Sequence, residues 1–175
     1  MKIRKISRLL VLLASSVFAD TFSPNAQYQL CFRPYQNCLS EIVTAIDGAQ
    51  TSIFVQAYSF DSKPLIEALI NAKQRGLDVK VIMDNHAMEK DAVNVETKKK
   101  LMKANIPVWI DDKLHTAHNK VIIIDNTMVE TGSFNFTENS AEKNAENVLI
   151  IKDPKLANQY LQNWYQRQTE SKFAK

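Results

Sequence analysis

The stretch HTAHNKVIIIDNTMVETGSFNF, His115–Phe136, decides how this chain folds. Lys120–Ile124 runs through four β-branched apolar residues and reads as a strand buried on both faces. Asp125-Asn126-Thr127 is turn chemistry, and Met128–Thr131 is the expected hairpin partner. Residues two apart on a strand share a face. His118 and Lys120 therefore stand side by side, with Ile122 and Ile124 carrying that face inward and Val121 and Ile123 burying the other. The polar end of such a strand is expected at the rim of the sheet.

Gly132 permits a close backbone approach, and Ser133 and Asn135 follow at alternate positions. An ammonium, two neutral hydrogen-bonding side chains and an imidazole make a cradle for an anionic tetrahedral group. Asp125 sits at odd spacing from His118, in the turn, and is expected to be structural. Each residue alone has a plainer reading. A His beside a Lys is a common surface pairing, and Ser133 and Asn135 could cap a helix near Thr137. Their joint order favours the cradle.

Outward from this stretch, helical and strand patterns alternate. Leu39, Ile42, Val43 and Ile46 recur at helical spacing up to Gly48. Ser52–Tyr58 reads as a buried strand, and Ser62-Lys63-Pro64 opens a helix with Ser62 as its cap and Gly76 as its stop. Asp78–Asp84 is a strand, Asp91–Ala104 a charged helix and Pro107–Ile110 a short strand. Lys98-Lys99-Lys100 reads as a solvated face. Asn147–Ile151 is a further strand, and Asp153-Pro154 opens a last helix to about Arg167. The fold class is therefore α/β: an α-β-α sandwich with a central mixed β-sheet flanked by helices on both faces.

The first nineteen residues are of another kind. Lys2, Arg4, Lys5 and Arg8 precede an apolar run from Leu9, and Val17-Phe18-Ala19 offers a cleavage site. This is the pattern of a signal peptide, with an uncleaved N-terminal anchor as the alternative. The chain has 22 basic and 19 acidic residues; four basic ones precede Asp20, leaving 18 against 19, a net charge of −1. The basic balance belongs to the export segment and is no evidence for nucleic-acid binding. Cys31 and Cys38 are expected to form a disulfide in an exported protein; free thiols or half of a metal site are the alternatives. The expected layout is 1–19 signal peptide or anchor, 20–38 disulfide-bearing segment, 39–168 catalytic domain and 169–175 frayed tail.

His118-x-Lys120-x4-Asp125-x6-Gly132-Ser133-x-Asn135 matches the HxKxxxxD signature of the phospholipase D superfamily, with its trailing Gly-Ser and Asn. With NAENVLII downstream, the region from about Leu39 to about Arg167 resembles the small single-motif bacterial endonucleases of that superfamily. The resemblance implies that His118 attacks phosphorus to form a covalent phosphohistidine. It implies that Lys120, Asn135 and Ser133 hold the phosphoryl oxygens. Glu146 matches the carboxylate that orients the histidine, with Glu142 the weaker rival. One motif per chain implies a two-fold homodimer that pairs two copies of His118. It also implies no divalent metal and no other cofactor. The competing metal reading is a zinc cluster of His115, His118 and Asp111 or Asp112. His86 and His115 receive no role.

The implied function is exported phosphodiester hydrolysis of nucleic acid, DNA or RNA, in the periplasm or outside the cell. Membrane association through the N-terminal segment is compatible with it. The rival expectations are a phospholipase D acting on phospholipid, and a catalytically idle module for DNA uptake or transfer.

Overall fold

The computed structural model describes residues 19–175, so the export segment, apart from Ala19, lies outside the described residues. The strands are β1 (Gln27–Phe32), β2 (Ser52–Ala57), β3 (Asp78–Asp84), β4 (Val108–Asp111), β5 (Lys120–Ile124), β6 (Met128–Gly132), β7 (Asn147–Lys152) and β8 (Lys172–Phe173). The helices are α1 (Cys38–Asp47), α2 (Lys63–Gln74), α3 (Asn85–Lys90), α4 (Ala92–Lys103), α5 (Glu138–Glu142) and α6 (Pro154–Glu170). All eight strands join one mixed sheet in the order β1-β7-β6-β5-β2-β3-β4-β8. β2, β3 and β4 are parallel; every other pairing is antiparallel.

The helices cover both faces, as the alternating pattern predicts. One face buries Ile42 and Ile46 of α1, Leu65 and Leu69 of α2 and Leu101 of α4 against Val55, Val81 and Ile122. The other face is closed by α6. Its Trp164 is fully buried, lies 5.0 Å from the Phe54 ring and donates its indole N–H to Val55 O at 2.9 Å. A buried indole with its one polar group satisfied is a strong anchor. Cys31 and Cys38 are bonded, with their Cα atoms 5.5 Å apart, and tie β1 to the start of α1.

Four local expectations change. Gln27–Phe32 is a strand at the sheet edge, paired with β7. Its alternating side chains are mostly exposed, so it lacks the apolar run that marks the central strands. The charged helix forms as α4, with Asp91 extended (φ −139°) and capping it by accepting from Val93 N, but a further short helix, α3, precedes it. Ser62 precedes α2 but its hydroxyl makes no capping bond. Pro64 occupies the second helical position and has no N–H to give it. The tail does not fray: α6 continues to Glu170, and β8 returns to pair with β4. An ion pair between Lys172 and Asp112 supports that return.

Candidate active site

The topology gathers one end of each central strand on a single rim. β2 and β3 end there, β5 begins there, β6 ends there and β7 begins there. His118 and Lys120 enter from β5, Ser133 and Asn135 leave from β6, and Glu146 precedes β7.

His118 is held by the backbone on either side of it. Ala117 N donates to Asp84 Oδ2 at 2.6 Å, and Asn119 O accepts from Tyr58 N at 2.9 Å. The Tyr58 ring lies against the imidazole, centroids 4.4 Å apart. Lys120 Nζ lies 2.8 Å from His118 Nδ1 and 3.2 Å from Nε2, and donates to His118 O at 3.0 Å. The same ammonium lies 5.3 Å from the centroid of the Tyr58 ring. Lys120 is 7% exposed, so its charge is concentrated at the rim.

The electrostatics follow from this crowding. Partial burial pushes His118 below the ordinary histidine range; Lys120 pushes the same way, and Asp84 opposes both. Burial also lowers Lys120, and Glu146 opposes it. The imidazole is consequently neutral near pH 7, with a ring nitrogen lone pair beside an ammonium.

The alternation in GSFNF places the other groups. Phe134 and Phe136 are buried, and Phe136 packs edge-on against Phe60 at 5.7 Å. Phe136 O accepts from Asp61 N and Ser62 N, which pins the loop to the start of α2. Ser133 and Asn135 fall between these anchors. Ser133 Oγ donates to Glu146 Oε2 and accepts from Asn147 N at 3.0 Å. Asn144 Nδ2 donates to Glu146 Oε1 at 2.8 Å. Within the protomer, Glu146 is thus bonded to Ser133 and Asn144, and it makes no hydrogen bond to His118. Asn135 Oδ1 is buried without a partner. Glu142 is exposed on α5. A Cβ on Gly132 would meet Asn147 O at 2.2 Å, so only glycine lets β6 and β7 close here. A depression of about 360 Å³ opens beside His118, Lys120, Thr131, Ser133 and Tyr160.

Asp125 lies at the far end of β5. Its carboxylate accepts from Gln50 N at 2.9 Å, Thr51 N at 2.7 Å, Thr51 Oγ1 at 2.8 Å and Ser52 N at 3.0 Å. Burial opposes its ionisation, but these bonds outweigh it and hold the carboxyl below the ordinary aspartate range. Neither acid of the zinc alternative is free to join His115 and His118. Asp111 is gripped by Arg167 through Nη2 at 2.6 Å and Nε at 2.9 Å, and Asp112 pairs with Lys172. Among the described residues no group of three or more His, Cys, Asp or Glu is placed to hold a metal. Sequence reasoning missed Tyr58 and Asp84. Each lies at a strand end with no motif around it, and only the sheet order brings it to His118.

Residues 42–168 match the family described as "Cardiolipin synthase, PLD-like domain". The chain belongs to the phospholipase D superfamily. This superfamily member is 45% identical over 141 residues to a phospholipase D of Rickettsia prowazekii, covering 81% of this chain and 67% of that protein. It is 33% identical over 135 residues to a mitochondrial cardiolipin hydrolase of Mus musculus, covering 77% and 60%. The crystal structure of Nuc from Salmonella typhimurium, a phospholipase D family member, superposes with a TM-score of 0.82 at 36% identity, over 86% of this chain and 99% of Nuc. The described residues therefore form a Nuc-like phospholipase D superfamily domain, and the phosphodiesterase class of hydrolase follows from that membership.

Proposed function

We propose that this protein is an exported, metal-independent endonuclease that hydrolyses DNA, and RNA as a second substrate, as a two-fold homodimer. The observation that carries the reading is a neutral imidazole beside a buried ammonium on an open rim. An open rim suits a long polymer that must pass across the site. Export is supported by the basic and apolar N-terminal run and by the Cys31–Cys38 disulfide, since such bonds persist in oxidising compartments. Among the described residues no helix is long and apolar enough to cross a membrane.

The chemistry runs in two displacements. A nitrogen of His118 attacks phosphorus, a P–N bond forms, and the P–O bond to the leaving oxygen breaks. The partner's His118, which takes up a proton from solvent as the anionic phosphodiester settles between the two rims, gives that proton to the leaving oxygen. Water then attacks phosphorus and the P–N bond breaks. The partner's His118, now neutral, takes the proton released by the water. A phosphate monoester leaves and both imidazoles return to their starting states. Lys120 neutralises charge on the nonbridging oxygens, and Ser133 and Asn135 supply directional hydrogen bonds. Glu146, bonded to Ser133, keeps a negative charge near Lys120 and so keeps its ammonium protonated.

A homodimer is supported by the surface as well as by the single motif. On the α6 side, β1 is left bare beside a half-buried Leu149 of β7: Tyr28 is 72% exposed, Leu30 44% and Phe32 50%. The pairing register sets Val121, Thr131, Leu149 and Leu30 in one cross-strand row, so this apolar strip starts at the catalytic depression. A second copy seated there buries apolar area and brings its own rim close.

Phospholipid is the second reading, favoured by the names of the bacterial and mitochondrial relatives. The purified protein should be assayed in EDTA on plasmid, single-stranded DNA, RNA, phosphatidylcholine vesicles and cardiolipin vesicles. Cleavage of nucleic acid with the higher kcat/KM is expected. Turnover of vesicles with nucleic acid untouched replaces the substrate assignment, and loss of activity in EDTA removes the metal-independent mechanism.

A further inference from the structure

His86 and His115 come from different elements and meet beside the catalytic rim. His86 is in the first turn of α3, directly after β3; His115 is in the loop entering β5. Their rings are 5.0 Å apart, tilted by 43°. The mechanism above uses neither. Both segments hang on one carboxylate: Asp84 Oδ1 accepts from Ala87 N at 2.6 Å, and Oδ2 accepts from Ala117 N at 2.6 Å. The carboxylate that positions the loop of His118 therefore also fixes the spacing between this imidazole pair and His118.

The rim order gives that spacing. β5, β2 and β3 are consecutive in the sheet, so the end of β3 is two strand steps, about 10 Å, from His118. Tyr58, at the end of β2, lies between them. Successive phosphates of a nucleic-acid strand advance about 3.4 Å along the axis. A backbone held at His118 and laid along the rim thus brings a phosphate about three steps along the strand to the imidazole pair.

The carboxylates around the pair are already bonded within the protein. Both oxygens of Asp84 are occupied by backbone N–H groups. Glu89 accepts from Asn85 Nδ2 at 2.7 Å, and Asp112 is paired with Lys172. Lys113 and Leu114, just before His115, are exposed, and Lys113 adds a positive charge at the loop tip. A neutral imidazole already donates one N–H, so two can hold phosphate oxygens without a change of protonation.

We propose that His86 and His115 form a second phosphate-holding subsite, which takes a phosphate covalently linked to the scissile one. This rests on the phosphodiesterase reading and extends it to substrates with more than one phosphate. Two sources share that chemistry: a polynucleotide backbone and a diphosphatidyl lipid. His86 and His115 are binding residues in this proposal and leave the chemical step alone.

The test compares the parent with His115→Gln and with the double variant His86→Gln/His115→Gln. Their substrates are bis(p-nitrophenyl) phosphate, a dinucleotide, a long oligonucleotide, phosphatidylcholine vesicles and cardiolipin vesicles. The expected result is a roughly tenfold rise in KM for the oligonucleotide in the double variant, the size of one charge-assisted hydrogen bond, with kcat unchanged. The two single-phosphodiester substrates should keep their kcat/KM. If the source is lipid, the rise appears on cardiolipin and is missing on phosphatidylcholine. His115 is exposed, so its single variant folds as the parent does and carries a smaller rise of the same kind. An unchanged KM on every multi-phosphate substrate overturns the subsite. So does an equal loss on bis(p-nitrophenyl) phosphate, which marks a structural role. A parent that fails to hydrolyse bis(p-nitrophenyl) phosphate or any other substrate in the panel sinks the phosphodiesterase reading instead, and the subsite with it.

Discussion

The two ends of the β5–β6 hairpin are built on opposite rules. At the turn, Asp125 accepts from three backbone N–H groups and a hydroxyl, and the chain passes through Asp125 and Asn126 at φ 53° and 52°. Its charge is satisfied by the fold. At the rim, five residues away along β5, an ammonium is pressed against an imidazole and both are driven toward their neutral forms. Nearby, Asn135 Oδ1 is buried with no partner. HxKxxxxD is one motif in the sequence and two structures in space. The aspartate locks the register of the hairpin against the loop before β2, and that rigidity lets the rim hold groups that would otherwise relax apart.

The largest break in this contrast is expected from His118→Ala. Activity should fall by at least about 10³-fold, as for removal of a nucleophile, while the melting temperature stays near the parent's. A stability loss as large as the activity loss would erase the distinction between the two ends. Gly132→Ala tests the rim backbone. Its Cβ would meet Asn147 O at 2.2 Å, so β6 and β7 must part, and denaturant titration should show a loss of about 1–3 kcal/mol along with misplacement of Ser133.

Asp125→Asn tests the other end. It should lower stability by about 2 kcal/mol at pH 7, a modest figure for charged hydrogen bonds at a solvent-reached turn, and leave kcat of the folded protein unchanged. The carboxyl is held below its ordinary value, so its contribution is present above the ordinary aspartate range. It is lost as pH falls through the lowered value. The gap between parent and variant should therefore close in acid and stay constant above about pH 5.

Between the two ends lies Glu130, fully buried in β6 with neither carboxylate oxygen bonded. Burial raises it well above the ordinary glutamate range. The sign is opposite to Asp125: stability is greatest below the ordinary value and declines as pH rises toward the raised one. Glu130→Met should stabilise the protein by about 1–3 kcal/mol near pH 7, and by less near pH 4. An equal effect at both pH values would show that the carboxyl is not the cause. The smallest expected shift is in the pH–rate profile. The acid limb of the coupled His118 pair should lie below the usual histidine value of about 6.5, and a limb above it would contradict the burial and the Lys120 contact that lower it.

The sequence pattern carried the central strands because they are apolar on both faces, and it carried the site because HxK and GSxN fall on strand periodicity. It did not carry β1, whose exposed alternation QYQLCF resembles an edge or a loop. Nor did it carry β8, two residues long and held by tertiary contacts alone. Glu130 in METG reads as an outward polar residue, and only the packing of α1 and α2 over that face shows it buried. Tyr58, Asp84, His86 and His115 are brought together by sheet order, a property of strands far apart in the chain.

The central claim is that the rim imidazole takes the phosphoryl group. It is tested most directly by mixing the protein with phosphorus-labelled oligonucleotide, quenching in base within the first turnovers, and mapping the label by mass spectrometry. The account predicts an acid-labile, base-stable label on His118 in the parent and none in His118→Ala. Rapid hydrolysis with no label on His118, or a label that persists in His118→Ala, would contradict it.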